Sequence, residues 1–183
     1  MAYVPDLVVF GSGKAGRSGS GVSDRLTRYF VDGDGDGAFL RHTTVVAEAQ
    51  DGLTPELIEA ADYLGANLPI PIFSAAFAAA VGAQLAADLE LHPCVVRCRG
   101  RDFDTFRVAR TKTYLPLVDP ARSDYVTLST GTRLLRRPAY DPGLADRFLI
   151  ARDERHRASV VCAPRLADLV ESAGLRVDFV PAG

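Results

Sequence analysis

The stretch HPCVVRCRGRDFDTFRVAR, residues 92–110, alternates apolar and polar side chains on both sides of Arg99-Gly100-Arg101-Asp102. Side chains of a strand point alternately to opposite faces, so two such runs around a glycine turn read as an antiparallel hairpin. Cys94, Val96 and Cys98 share one of its faces. A hairpin alone is marginal in water and needs an apolar cover. The segment just upstream, IFSAAFAAAVGAQLAADL, supplies a candidate. Ser74 opens it as a helix cap, the helix runs to about Asp88, and Phe77, Val81 and Leu85 line one side. An alanine-rich helix with so little polar surface must be buried against a sheet.

The rest of the chain is punctuated in the same way. Asp6 to Phe10 reads as a short buried strand, Ser23 to Phe30 as a helix with Val22, Leu26 and Phe30 on one face, and His42 to Ala47 as a strand. Thr54-Pro55 is a cap followed by proline at the first helical position, and Gly65 is the matching stop. LPLVD and YVTLS are strand candidates joined by a Pro-Ala-Arg-Ser turn. RFLIAR, DERHR and ASVVCA form a second hairpin with a charged tip, followed by a helix from Pro164 to Ala173 and a last strand, RVDFVP. Three segments, GVSDRLTRYF, IFSAAFAAAV and VCAPRLADLV, share one strand-cap-helix pattern. The expected fold class is therefore α+β, with antiparallel hairpins and mixed sheet interleaved with single helices. The 183 residues suit a single domain, and Pro69 and Pro71 in NLPIPI leave room for a small N-terminal lobe over residues 1–68 beside a main body over residues 70–183.

Composition excludes several classes. At 48% hydrophobic content the chain can build a core, and no apolar run approaches the roughly 18 residues of a membrane span. With no basic start followed by an apolar run, a cytoplasmic protein is expected. Cys94, Cys98 and Cys162 are three, without a C-x-x-C pair, which indicates neither a disulfide framework nor zinc. Residues 1–91 carry 12 acidic and 5 basic side chains, a balance of −7, whereas residues 92–183 carry 11 and 16, a balance of +5. Arg97, Arg99 and Arg101 alternate along one run and offer a nucleic-acid reading, but no interleaved aromatics accompany them, so a solvated sheet face is favoured.

Three local motifs bear on chemistry. VVFGSGKAGRSGSG places Gly11, Gly16 and Ser18 at phosphate-loop spacing, but Arg17 stands where lysine is required, and Gly19 and Gly21 oppose a helix at the position the phosphates need. A nucleotide-dependent enzyme using Gly11 to Ser18 is thus an alternative and not the leading reading. DGDGDG puts Asp32, Asp34 and Asp36 at the first positions of a calcium loop, yet Thr43 takes the place of the closing glutamate. No metal and no cofactor is expected. The same three aspartates form an acidic surface able to meet a basic protein partner. His42, His92 and His156 accompany no nucleophile signature, and no catalytic residue is assigned.

The series from the hairpin through Leu115-Pro116-Leu117-Val118-Asp119 and Ser123 to FLI, VVCAPRLADLV and GLRVDFVP resembles the eleventh numbered family of immunity proteins in bacterial polymorphic-toxin systems. The likeness runs over about residues 70–181. The C-terminal helix of such proteins usually follows a Val-Ser pair, where this chain has Cys162-Ala163-Pro164. The resemblance implies a small α+β protein, not an enzyme, that binds and neutralises a cognate co-encoded toxin by occlusion. It carries over no functional residue, because the matching positions are framework positions.

Overall fold

A computed structural model describes residues 8–10 and 19–181 and has the expected α+β class. The predicted hairpin is its backbone: β5 (Leu89–Cys98) pairs with β6 (Arg101–Thr111). Arg99 and Gly100 turn the chain with φ of 50° and 82°, the mirror-image two-residue turn whose twist matches that of the strands. Around this pair a six-stranded sheet runs in the order β1-β2-β5-β6-β4-β3, with β1 (Val8–Phe10), β2 (Val45–Ala49), β3 (Tyr63–Leu64) and β4 (Ile72–Ser74). All its neighbours are antiparallel except β2 and β5. Strands from both sides of the 69–71 connector share this sheet.

The two edges of the sheet meet. The Val8 amide donates to the Gly65 carbonyl at 3.2 Å, the Asn67 amide donates to the Val8 carbonyl at 3.2 Å, and the Phe10 amide donates to Asn67 Oδ1 at 2.9 Å. The sheet is thereby curled into a small closed barrel. Its interior holds Val8, Phe10, Ala47, Ile72, Cys94, Val96, Phe106 and Val108, all buried. Leu26, Tyr29, Phe30 and Val31 close over it from α1 (Gly19–Leu26) and the π-helical turn Thr27–Val31 that continues it. The helix was expected from Ser23 to Phe30. It starts earlier, at Gly19, and changes pitch at Thr27, which brings three consecutive residues, Tyr29 to Val31, into the core while Val22 stays exposed.

Outside the barrel, α3 (Ala75–Leu85) begins where Ser74 Oγ accepts from the Phe77 amide at 3.0 Å. Its Phe77, Val81 and Leu85 join Ile150, Val160, Leu166 and Val170 in a second core. These come from the second predicted hairpin, β10 (Ile150–Asp153) and β11 (Val160–Cys162), and from α4 (Pro164–Ser172). β7 (Tyr114–Leu115) lies parallel to β10, and β8 (Asp124–Thr127) pairs with β9 (Arg133–Arg137), a strand the sequence reading did not foresee. Arg152 is fully buried between the layers. It donates through Nε to Thr111 Oγ1 at 3.1 Å, through Nη1 to the Arg157 carbonyl at 2.6 Å and through Nη2 to the Pro69 carbonyl.

Two expected elements are corrected. The helix opened by Thr54 is capped as foreseen, with Thr54 Oγ1 accepting from the Leu57 amide, but α2 covers only Pro55–Glu59. Asp62 is drawn off instead to accept from Ser74 Oγ at 2.7 Å and from the Arg176 amide at 2.9 Å, and Tyr63-Leu64 becomes β3. The last strand does not form. Gly174, at φ 66°, ends α4, and beyond Arg176 the tail to residue 181 makes no backbone hydrogen bond among the described residues. Leu175 and Val177 are half-buried, whereas Phe179 is exposed.

Candidate functional site

Two features stand out. The first is the acidic loop after the π turn. Gly33, Gly35 and Gly37 all have positive φ, at 74°, 88° and 69°, which gives the Asp-Gly alternation a backbone reason, since glycine enters this region without steric cost. The loop is tied down through its carbonyls. Arg110 Nη2 donates to Gly33 at 2.7 Å and Nε donates to the Tyr29 carbonyl at 3.2 Å. Tyr114 Oη donates to the Val31 carbonyl at 2.9 Å, and Arg157 Nη1 donates to that of Asp32. Arg157 thus spends its head on carbonyl oxygens, and Arg110 divides its own between carbonyl oxygens and Glu90 Oε2, 3.4 Å from Nη1. Asp34 and Asp36 are exposed and Asp32 is half-buried; Asp36 Oδ1 also accepts from the Ala38 amide at 2.9 Å.

Tyr29 is the hub under this loop. Its ring carries the Arg110 guanidinium 4.4 Å from the centroid and meets Phe39 edge-on at 5.6 Å, and a Cβ on Gly37 would lie 2.6 Å from it. Its hydroxyl lies 3.3 Å from His92 Nε2 and 3.4 Å from Glu90 Oε2. Burial holds the His92 imidazole below its ordinary value of 6.5, assisted by Arg110 and opposed by Glu90. The unfolded chain then takes up a proton that the folded one refuses as pH falls below 6.5, so this contribution to stability is present above 6.5 and is lost on acidification until the folded imidazole also titrates. The melting temperature should fall between pH 7 and pH 5, and His92→Gln should flatten that dependence; an unchanged slope in the variant would show that other groups set it.

The second feature is a cleft of about 590 Å³ between α3, α4, the β10–β11 hairpin and the C-terminal tail. Phe73 and Phe77 stack at its base, with centroids 4.0 Å apart and planes at 9°. Ile150, Leu166, Phe148 and Leu117 add apolar wall, and Val177, Phe179 and Val180 of the tail form one side. Tyr63, Tyr140 and Arg122 are its polar members besides two aspartates, Asp141 and Asp178. Cys162, half-buried, also lines it, and burial pushes this thiol up to about 12, which holds it in the protonated form at neutral pH.

The other sequence-level candidates do not converge. The phosphate-loop positions Gly11, Gly16, Arg17 and Ser18 lie outside the described residues. Arg97 pairs with Glu48 at 3.6 Å and Asp102 at 3.1 Å, and Arg101 with Glu59 at 3.4 Å, so two of the three strand arginines face carboxylates. Among the described residues no three His, Cys, Asp or Glu side chains group as metal ligands, and no helix is long and apolar enough to cross a membrane. Sequence reasoning found the aspartates but missed Arg110, Tyr114 and Arg157, which hold their loop. The glycine spacing was the only local signal of that constraint. No protein-family model and no curated protein matches the chain, so these comparisons leave the family resemblance as an expectation.

Proposed function

We propose that this protein is an immunity protein that binds a cognate co-encoded bacterial toxin and neutralises it by occlusion. The observation that supports this reading is the acidic loop, whose backbone is fixed by Arg110, Tyr114 and Arg157 while Asp34 and Asp36 face solvent. Ordering a charged loop before encounter removes part of the entropy cost of binding. The carboxylates then steer a basic surface toward the protein, while final affinity rests on desolvated anchors elsewhere. Occlusion needs no catalytic group, and the reading places the protein in the toxin-producing cell's cytoplasm.

Replacing Asp32, Asp34 and Asp36 together with asparagine should slow association with the purified toxin roughly tenfold at low salt. At 1 M salt, where charges are screened within about 3 Å, the difference should nearly vanish. Stopped-flow mixing at several salt concentrations reads both. Cells that survive the co-encoded toxin equally well without this protein would refute the proposal and return attention to the nucleotide and nucleic-acid alternatives.

A further inference from the structure

The cleft shares no residue with the acidic loop and has no part in the reading above. We infer that the edge of β11 beside it is a docking site for an extended, uncharged, mostly apolar segment of another protein, laid along β11 as one more strand. The β10–β11 ladder shows which backbone groups are free. The Ala163 amide donates to the Leu149 carbonyl at 2.9 Å, which makes these two residues a hydrogen-bonded pair. In an antiparallel ladder such pairs alternate with unbonded ones, so Ala151 and Val161 are bonded, whereas Ile150 with Cys162 and Arg152 with Val160 are not. The Arg152 amide agrees, since it donates away from β11, to the Thr113 carbonyl at 3.0 Å. The amides and carbonyls of Val160 and Cys162 therefore point outward from the sheet, and no backbone hydrogen bond takes them among the described residues. The cleft runs along this edge. All three residues of β11 line it, together with residues from both faces of the sheet: Phe77, Ile150 and Leu166 from the second core, and Leu117, Phe148 and Ala163 from a third cluster. Ile150 and Ala151, adjacent in β10, belong to the second and third clusters respectively, which places the two on opposite faces. A strand beside β11 would turn alternate side chains into these two apolar halves, while its main chain meets the free groups of Val160 and Cys162. Charge does not choose the occupant, because Arg122 stands against Asp141 and Asp178 and all three are exposed. The chain's own Val177–Pro181 forms one wall of the cleft but makes no backbone hydrogen bond among the described residues, so it leaves the edge open.

The test uses the full chain and a blocked peptide, acetyl-Thr-Val-Tyr-Val-Thr-amide. Its control is the same peptide N-methylated at the interior amides, which keeps the side chains and loses the donors. Amide hydrogen exchange read by NMR should be fast at Val160 and Cys162 and slow at Val161 in the free protein, and saturating peptide should slow the first two at least about tenfold. Calorimetry should give one peptide per chain and a loss of at least about tenfold on N-methylation. Cys162→Pro removes one outward amide without touching the β10 ladder, a position at which an edge strand tolerates proline, and should weaken binding by about five- to tenfold. Ala167→Trp puts an indole into the cleft and should abolish binding. Thermal melts confirm that each variant is folded, and the two peptides decide the matter on the wild-type chain alone. Five results overturn the inference: no saturable peptide binding, equal affinity for the N-methylated peptide, unchanged exchange at Val160 and Cys162 on saturation, binding retained in both folded variants, or both amides already protected in the free protein. In the last case, release on dilution assigns the edge to a second copy, and persistence assigns it to the chain's own tail.

Discussion

Removing residues 163–183 is expected to leave a chain with no cooperative melt. The deletion takes away Ala163, Leu166 and Val170, which are 3%, 1% and 2% exposed, and with them the whole of α4. Leu166 and Val170 pack in one cluster with Phe77, Val81 and Leu85 of α3 and with Ile150 and Val160 of the second hairpin. Truncating a single buried leucine to alanine costs about 2–5 kcal/mol. Loss of the entire helix also bares the side of α3 that it covers, so the cost exceeds much of the roughly 5–15 kcal/mol by which a domain is stable. Circular dichroism melts compare the deletion with Leu166→Ala, which should still fold but melt at lower temperature. A sharp transition retained by the deletion would mean that the barrel alone stabilises α3.

Arg152→Ala should be the most destabilising single substitution outside the barrel interior, by more than about 4 kcal/mol. The guanidinium is fully buried, and its partners are a hydroxyl and two carbonyls instead of a carboxylate. Burial pulls its pKa down to about 10, still far above neutrality, so it remains a cation at working pH. Hydrogen bonds from a charged group are worth about 1.5–3 kcal/mol each, and alanine would abandon all three acceptors and leave a void. Arg152→Met refills much of the volume without the donors, and Arg152→Lys keeps the charge without the fork. Both should fall between the wild type and Arg152→Ala in urea denaturation. Wild-type stability in Arg152→Met would show that the packing matters and the hydrogen bonds do not.

What was legible in the sequence is whatever local periodicity and capping decide. The β5–β6 hairpin, the Ser74 cap with Phe77, Val81 and Leu85 beneath it, the β10–β11 hairpin and α4 all lie where alternation, cap and proline put them. The failures have non-local causes. RVDFVP alternates like a strand but finds no neighbouring backbone, and an alternating pattern cannot state that a partner is present. Thr54 starts α2 as expected, yet its length is set by Asp62, which is claimed by Ser74 and by the Arg176 amide 114 residues away. The acidic loop was visible as charge, whereas its anchors come from β6, from β7 and from the tip of the second hairpin. The cleft was invisible because Tyr63, Phe73, Leu117, Phe148, Leu166 and Phe179 lie in separate segments, each apolar for a local reason.

The closure between Val8 and the segment at residues 65–67 also limits how another chain can engage the protein. An open sheet edge is a ready template for strand addition, in which a partner of almost any sequence gains affinity from main-chain hydrogen bonds. Here β1 and β3 would have been the edges, and the Val8 amide and carbonyl of β1 are taken by Gly65 and Asn67 just beyond β3. Among the described residues the edges left to strand addition are β11, β7, both sides of the β8–β9 pair, and the stretch of β6 before Phe106 that β4 does not reach. A partner that docks at this closure must instead recognise particular side chains, which makes binding there selective by construction.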